Sequence, residues 1–354
     1  MKKHNFSSGP AILPAEVMEQ AAAAVKDLNG IGLSVLEISH RSSEFVAILE
    51  ETETLVRELL KINNEYAVLF LTGGASTQFF MSAMNLLGTN ETAAFIDTGS
   101  WSVKAIKEAN LFGKVDVIAS SKDQNYTYIP KDYTIPEGAK YLHFTSNNTI
   151  FGTQFHELPD TTLPLVCDMS SDIFSRPFDV NRFSLIYAGA QKNLGPAGTT
   201  LVIVRKELLG TIERSIPTML NYETHIKKNS AFNTPPVFPI YVCLLTLRWL
   251  KEKGGVEAMV KHNKEKAQLL YQAIDESPYF VGNTKVEDRS LMNVTFVMAE
   301  GYEDRAADFL SACEQAHCSG VKGHRSVGGF RASIYNAMPK SSVETLISVI
   351  RSFQ

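Results

Sequence analysis

Three features of the chain could act together in one reaction, because each directly follows an apolar run. Lys192 lies in YAGAQKNLGPAG, residues 187–198, after the run SLIYAG. Asp168 ends the run LPLVCD, and YAVLFL is followed by the glycine-rich turn TGGAST. A lysine desolvated between apolar layers has a lowered pKa and is more nucleophilic. The three features predict an amine nucleophile, a carboxylate that stabilises positive charge, and free N–H groups that bind phosphate.

Each feature taken alone also has a structural explanation. Lys192 could be a solvated loop lysine, and Asp168 could cap the segment MSSDIF, where Asp172 is equally well placed. The TGGAST turn could be an ordinary helix cap, since it lacks the motif of a nucleotide or dinucleotide site. In open parallel sheets, however, ligands bind beyond the carboxyl ends of the strands. Pyridoxal phosphate needs a phosphate-binding turn, an acid at its pyridinium nitrogen and a lysine, so the three features together favour this cofactor.

The elements that must position these residues are those of an α/β protein. Near-continuous apolar runs are typical of strands buried on both faces of a mostly parallel sheet. Seven such runs occur between residues 66 and 205: YAVLFL, TAAFID, KVDVIA, AKYLHF, LPLVCD, SLIYAG and TTLVIV. We therefore predict a large domain with a seven-stranded, mostly parallel sheet flanked by helices, and a smaller C-terminal α/β domain.

Helical patterns precede and follow these runs. Residues 11–29 are predicted to form a helix with Pro14 at its first position. The helix after SHRSS can be capped by Ser42 or Ser43, and it has an apolar stripe spaced three and four residues apart. The stripe consists of Phe45, Ile48, Leu49, Thr52, Leu55, Val56, Leu59 and Leu60. Residues 206–236 are predicted to be irregular, and a helical hairpin follows to about residue 276.

Composition excludes several other classes of protein. The 354 residues are 44% apolar with a net charge of -4, which predicts about two globular domains. No apolar run approaches the roughly 20 residues that span a bilayer, and MKKHNFSSGP lacks the apolar segment of a signal peptide. No basic run indicates nucleic-acid binding, and the four cysteines lack the spacing of a zinc site or disulfide framework. We expect a cytoplasmic protein with no membrane, nucleic-acid or metal partner.

Five ordered motifs resemble one enzyme family. They are NFSSGPAILP, SHRSSEF, YAGAQKNLGPAG, FNTPP and KGHRSVGGFRASIYNAMP, and they extend from Asn5 to Pro339. Together they are similar to the phosphoserine aminotransferases, which are fold-type-I, class-V enzymes dependent on pyridoxal 5'-phosphate. The resemblance implies ping-pong transfer of an amino group between L-glutamate and 3-phosphohydroxypyruvate, giving O-phospho-L-serine and 2-oxoglutarate in serine biosynthesis. Whether the chain also forms 4-phosphohydroxy-L-threonine for vitamin B6 synthesis stays open.

The resemblance also implies a division of the chain and the roles of the cofactor site. We expect an N-terminal segment, 1–15, that contributes to the active site, a large cofactor-binding domain, 16–260, and a small domain, 261–354. Lys192 would hold the cofactor as a Schiff base and move the proton between Cα and C4', while Asp168 would keep the pyridinium nitrogen protonated. The other expected cofactor contacts are Trp101 on the ring, Thr149 on the phenolic oxygen, and Ala75, Ser76, Gln191, Asn233 and Thr234 on the phosphate.

The expected substrate site follows from charge, since glutamate and phosphoserine each carry an α-carboxylate and a distal anion. Guanidinium groups match both kinds of oxygen, and by resemblance Arg331 would bind the α-carboxylate and Ser8 would contact the substrate. The expected distal-anion cluster is His40, Arg41, His324 and Arg325. Asn233, Thr234 and part of this cluster would come from the other subunit of a homodimer with shared active sites. Many bacterial members have arginine where this chain has Ser76, so the division of the distal-anion contacts stays open.

Several other functions fit the sequence less well. An alanine:glyoxylate or serine:pyruvate aminotransferase would act on substrates without a distal phosphate. A cysteine desulfurase needs a nucleophilic cysteine on a mobile loop, whereas Cys313 and Cys318 lie in RAADFLSACEQAHC, which we interpret as helical. A dinucleotide-dependent oxidoreductase would need a G-x-G-x-x-G turn, which TGGASTQ does not provide. A non-catalytic binding protein would have lost Lys192 or Asp168, and neither is lost.

Overall fold

The computed structural model describes residues 3–354, in which helices and strands alternate for most of the length. The helices are α1 (Ala15–Lys26), α2 (Ser43–Leu60), α3 (Gly74–Leu86), α4 (Ser100–Ala109), α5 (Tyr222–Lys227), α6 (Val237–Glu252), α7 (Gly255–Asp275), α8 (Ala306–Gln315) and α9 (Lys340–Ser352). The strands are β1 (His4–Asn5), β2 (Tyr66–Leu71), β3 (Thr92–Asp97), β4 (Lys114–Ser120), β5 (Leu142–Thr145), β6 (Leu165–Asp168), β7 (Phe183–Gly189), β8 (Thr200–Arg205), β9 (Phe280–Gly282), β10 (Asn293–Met298), β11 (Cys318–Ser319) and β12 (Phe330–Ser333).

The main sheet has seven strands in the order β2-β8-β7-β6-β5-β3-β4. Only β8 is antiparallel to its neighbours, β2 and β7, and the other pairs are parallel. All seven apolar runs form these strands, so the predicted mostly parallel sheet is confirmed. Because β2, β6 and β7 run in the same direction, the segments that follow them meet at one edge of the sheet.

Six of the seven strands are buried on both faces, which explains why they are almost continuously apolar. The edge strand β4 differs from the expectation, because its residues are exposed or only partly buried. In β2, Val68 and Phe70 pack into a core shared with α1, α2 and α6, whereas Leu69 and Leu71 pack into a core shared with α3, α4 and α5. Successive side chains of a strand point to opposite faces, so each strand supplies both cores. This packing fixes the strand ends from which the site is built.

The predicted helices agree with the structure except in detail. All eight stripe residues of α2 are buried, and the Ser42 hydroxyl caps this helix by accepting the Phe45 N–H at 3.4 Å. Pro14 lies immediately before α1 rather than at its first position. The irregular segment 206–236 contains two 3-10 turns and one short α-helix, α5, whose N-cap Asn221 accepts the Glu223 N–H. The helical hairpin is confirmed as α6 and α7.

A second unit packs around a three-stranded antiparallel sheet, β12-β10-β9. Its core is a phenylalanine cluster that includes Phe280, Phe296, Phe309 and Phe330. The chain's N-terminal segment joins this unit, because β1 pairs with β11 and the buried Phe6 packs in the same core. The pairing of β1 with β11 brings the first residues of the chain beside the C-terminal unit.

The structure corrects one sequence interpretation in this unit and places one helix across both cores. Cys318 begins β11 and is not helical, whereas Cys313 lies in α8 as predicted. His317, with φ at 57°, ends the helical turn before Cys318, so the chain leaves the helix there. Helix α7 contributes Met259 to the core of the large sheet and Leu270 to that of the second unit. None of the helices within residues 3–354 has both the length and the apolar character that a membrane span requires.

Candidate active site

A cavity of about 220 Å³ lies at the carboxyl edge of the seven-stranded sheet. Its walls come from the N-terminal segment, the first turns of α3 and α4, the ends of β5 and β6, and the loop after β7. Eight of the residues selected from the sequence line it: Ser8, Ala75, Ser76, Trp101, Thr149, Asp168, Gln191 and Lys192. The fold therefore gathers residues from six separate segments around one space.

Lys192 is presented by a tight turn after β7. The Ala190 carbonyl accepts the N–H groups of both Lys192 and Gly195 at 2.7 Å, which closes the turn. The Lys192 ammonium lies 5.9 Å from the centre of the Trp101 ring. Burial lowers the pKa of Lys192, an effect that the carboxylate of Asp168 opposes. The lysine therefore loses its proton more readily than a solvated lysine does.

Asp168 is the last residue of β6 and is 4% exposed. Burial raises its pKa, while Lys192 and the N–H of Ser170, at 2.9 Å, act in the opposite direction. By accepting the Ser170 N–H, Asp168 caps the segment that follows β6, and its carboxylate also lines the cavity. Asp172 is turned away to a separate buried network, where it accepts hydrogen bonds from Ser146 and Gln154. Asp168 is thus the carboxylate that faces the cavity.

The glycine-rich turn after β2 forms the N-terminus of α3. Gly73 precedes the helix with φ at 92°, and a Cβ on it would lie 1.9 Å from the Thr77 hydroxyl oxygen. No side chain among residues 3–354 caps this helix, so its first N–H groups keep their hydrogen-bonding capacity. Ala75 and Ser76 border the cavity together with Gln191. Free N–H groups and the helix dipole make this wall of the cavity an anion-binding surface.

Trp101 forms another wall of the cavity from the first turn of α4. Its indole Nε1–H donates to the Thr149 hydroxyl at 3.1 Å, which fixes the ring orientation and leaves the hydroxyl proton of Thr149 free to donate. The ammonium of Lys104, one helical turn later, lies 4.5 Å from the ring centre. Sequence reasoning missed Lys104, although its spacing of three residues from Trp101 on a helix was a usable signal.

Arg331 lies in β12, and its guanidinium connects three segments. Nη1 donates to the Thr149 carbonyl at 2.7 Å, and Nη2 donates to the Ser8 hydroxyl at 2.8 Å. The Tyr335 hydroxyl donates a hydrogen bond to the Ser8 carbonyl at 2.7 Å. Nε of Arg331 is buried and has no hydrogen-bond partner among the described atoms. Arg331 thus has donor capacity left for an anionic ligand beside the cavity.

Seven of the residues selected from the sequence do not line the cavity in a single chain: Arg331, which lies beside it, and His40, Arg41, Asn233, Thr234, His324 and Arg325. Arg41, Asn233, Thr234 and Arg325 are exposed, and His40 is half-buried just before α2. His324 lies in the loop after β11, where Val327 packs in the same small cluster as Trp101. Partial burial and the charges of Arg331, Arg325 and Lys104 lower the pKa of His324.

Seven residues of the cavity wall were not selected from the sequence, and Gly9 and Thr145 are two of them. Gly9 has φ at 143°, and a Cβ on it would lie 3.4 Å from Cγ of Lys192, so the N-terminal segment passes close to the lysine stem. Thr145, at the end of β5, lines the cavity and has a buried hydroxyl without a hydrogen-bond partner among the described atoms. Its position beyond a buried strand was the available signal.

Comparisons with known proteins agree on one family. The family model described as aminotransferase class-V matches residues 3–346. The phosphoserine aminotransferase of Parabacteroides distasonis is 58% identical over the whole chain and 99% of the relative. A structure from a study of radiation damage to the Schiff base in phosphoserine aminotransferase is 48% identical, with a TM-score of 0.96 over 99% of this chain and 98% of that one. The pyridoxal-phosphate-bound phosphoserine aminotransferase of Trichomonas vaginalis is 38% identical, with a TM-score of 0.94 over 99% and 100% of the chains.

Proposed function

This chain belongs to the class-V aminotransferase family, and we propose that it is a phosphoserine aminotransferase. It exchanges an amino group between L-glutamate and 3-phosphohydroxypyruvate, giving 2-oxoglutarate and O-phospho-L-serine by a ping-pong mechanism. The observation that carries the proposal is the gathering of Lys192, Asp168 and the free N-terminus of α3 around one cavity, with Arg331 at its border. The two half-reactions use this space in turn, which explains why one set of cations serves two anionic substrates.

The cavity fits pyridoxal 5'-phosphate by the chemistry of its walls. The first N–H groups of α3 and the Gln191 side chain suit the phosphate, and the Trp101 indole offers a face for the ring. The buried carboxylate of Asp168 would pair with the pyridinium nitrogen, and the amine of Lys192 would hold the cofactor covalently. When bound, the cofactor supplies an electron sink for the carbanion that forms as the substrate loses its α-proton.

The protein's own contribution to the reaction is proton transfer and orientation. Lys192 takes the α-proton, because its lowered pKa favours the free amine that a general base requires. Arg331 holds the α-carboxylate, and the hydrogen bonds that Arg331 donates to Thr149 and Ser8 keep its guanidinium in place. Thr149 is thereby hydrogen-bonded to both Trp101 and Arg331, so one residue orients both the indole ring and the guanidinium that binds the substrate carboxylate.

We further propose that a second copy of the chain completes the site. His40, Arg41, Asn233 and Thr234 stay outside the cavity of their own chain, although charge and amide groups of their kind suit phosphate. A homodimer that brings them to the neighbouring cavity accounts for their position outside the cavity of their own chain. Within each copy, we propose an N-terminal segment, 1–15, a large domain, 16–260, and a small domain, 261–354. The proposed location of the protein is the cytoplasm.

A coupled assay tests the function directly. Purified protein loaded with cofactor is given glutamate and 3-phosphohydroxypyruvate, with glyoxylate and pyruvate as competing acceptors. We expect a yellow protein that borohydride bleaches irreversibly, and a preference for the phosphorylated acceptor. Lys192→Met serves as the matched variant. We expect that borohydride no longer bleaches this variant irreversibly and that its turnover is at least about 10²-fold slower. Equal or faster turnover with glyoxylate or pyruvate would assign the chain to another activity of the same family.

A further inference from the structure

A group of cations lies along the rim of the candidate active site within one chain. We call Lys104, His324 and Arg325 the rim cluster. Lys104 lies on α4 with its ammonium 4.5 Å from the centre of the Trp101 ring, and Val327, in the loop that carries His324, packs against the same buried cluster as Trp101. Trp101 itself lines the cavity. The rim cluster therefore borders the cavity on the side of the indole ring.

The rim cluster lacks compensating acidic groups. Among the ion pairs of residues 3–354, none involves Lys104, His324, Arg325 or Arg331. The charges of Arg331, Arg325 and Lys104 all disfavour protonation of His324, which indicates that these cations act on the same region. Unneutralised cations beside a cleft attract an anionic ligand, because the low-dielectric walls focus their field.

The wall of the cavity that α3 forms supplies no cation of its own. Ser76, at the start of α3, lines the cavity with a hydroxyl group, which donates a hydrogen bond but carries no charge. We propose that Lys104 is a specificity-determining residue that binds the distal phosphate of the substrate and thereby favours phosphorylated over carboxylate substrates. This inference rests on the proposed function, and it assigns to α4 a charge that α3 does not provide.

The chemistry of lysine suits this role. Its ammonium is a compact charge on a flexible four-carbon stem, and the Lys104 side chain is exposed, so it can move from the indole face to a bound anion. A phosphate monoester carries about -1.5 to -2 charges at neutral pH, whereas a carboxylate carries one. Removal of one cation therefore weakens the binding of a phosphorylated substrate more than that of glutamate.

A purely local role for Lys104 makes different predictions. A cation over an indole ring stabilises the ring's position, and Lys104 could serve Trp101 in this way alone. Its loss would then loosen Trp101, which would weaken cofactor binding and slow every substrate by the same factor. Selectivity between substrates and affinity for the cofactor therefore distinguish the two roles.

The test compares Lys104→Met with the wild type, with Lys104→Arg as the charge-conserving variant and Lys107→Met as the control. Lys107 is exposed on the same helix, so its replacement changes the net charge equally. Half-reactions with phosphoserine, glutamate and alanine give kcat/KM for a distal phosphate, a distal carboxylate and no distal anion. Calorimetry with 3-phosphoglycerate measures phosphate binding without turnover, and absorbance titration measures the cofactor affinity.

We expect Lys104→Met to lower kcat/KM for phosphoserine and the affinity for 3-phosphoglycerate about tenfold, the size of one charge-assisted hydrogen bond. The fall in kcat/KM for glutamate should be smaller, and kcat/KM for alanine and the cofactor affinity should not change. Lys104→Arg should restore most of the phosphoserine activity. An equal loss with all three amino acids, or an equal effect of Lys107→Met, overturns the proposal. If the wild type does not transaminate phosphoserine, the proposed function fails, and the calorimetric comparison still decides the role of Lys104.

Discussion

The ammonium of Lys266 donates a hydrogen bond to the Tyr335 carbonyl at 2.7 Å in the interior of the protein, where Lys266 is 0% exposed. The same ammonium donates to the carbonyls of Ile334 at 3.0 Å and Met338 at 3.2 Å. No carboxylate pairs with Lys266 among the ion pairs of residues 3–354, so three backbone acceptors satisfy it. Lys266 thus ties α7 to the turn that follows β12, the strand of Arg331.

Replacement of Lys266 by methionine should destabilise the protein and disturb the substrate site. Three buried carbonyls would each lose one donor, although that of Tyr335 keeps the Met338 N–H, and we expect the free energy of unfolding to fall by about 1–3 kcal/mol. The KM for amino-acid substrates should rise, because the same turn supplies Tyr335, which holds Ser8 beside Arg331. Denaturant titration and kinetics measure the two effects. Lys264→Met, an exposed change on the same helix, should alter stability by less than about 0.5 kcal/mol.

Lys266 also predicts how stability depends on pH. Burial lowers its pKa from 10.5 to about 7, so between these values the unfolded chain binds a proton that the folded chain releases. Stability rises with pH wherever the unfolded state binds more protons. From neutral pH to about pH 10, the wild type should therefore gain stability relative to Lys266→Met. A constant difference between the two proteins over this range would contradict the lowered pKa.

Asp168→Asn should separate activity from stability. The amide keeps the shape and the acceptor for the Ser170 N–H but removes the charge, and we expect kcat to fall about 10²–10³-fold. Burial raises the pKa of Asp168 above its unfolded value, so the charged carboxylate destabilises the cofactor-free protein at neutral pH. The cofactor-free variant should therefore unfold at no lower denaturant concentration than the wild type. Unchanged kcat would exclude Asp168 from the charge-stabilising role.

Gly195 tests the packing behind the Lys192 turn. A Cβ on Gly195 would lie 2.6 Å from Sγ of Cys243 on α6, so the position requires glycine for close approach. Gly195→Ala should destabilise the protein by about 1–3 kcal/mol. Because Cys243→Ala makes room, the double variant should recover part of this loss, with a coupling of about 0.5–3 kcal/mol measured by denaturant titration. Additive effects would show that the clash is relieved in some other way.

Arg331→Lys should weaken both amino-acid substrates together. Lysine keeps the charge but cannot donate to the Thr149 carbonyl, the Ser8 hydroxyl and a carboxylate at once. We expect the KM values for glutamate and phosphoserine to rise by similar factors of about 10 to 100, the equivalent of one charge-assisted hydrogen bond. Cofactor affinity, followed by absorbance, provides the control. A selective effect on phosphoserine would place Arg331 at the distal anion instead.

The sequence was most informative where structure is local. The stripe of α2 and the seven strands were predicted because burial on one helix face or on both sheet faces leaves a periodic apolar pattern. The proximity of Lys192 and Asp168 followed from the same logic, since parallel neighbouring strands end at one edge. Cys318 was assigned wrongly, because a helical pattern does not show where a left-handed residue, His317, ends the helix.

Contacts between distant parts of the chain were decided by tertiary structure alone. Ser8 and Arg331 meet because β1 pairs with β11 and places the N-terminal segment beside β12. The burial of Lys266 could not be predicted from the sequence either. Its partners are backbone carbonyls of a turn about seventy residues away, and no side-chain pattern indicates a contact with backbone groups. Periodicity records how each element is buried, whereas the docking of one element on another depends on the shape and polarity of the whole core.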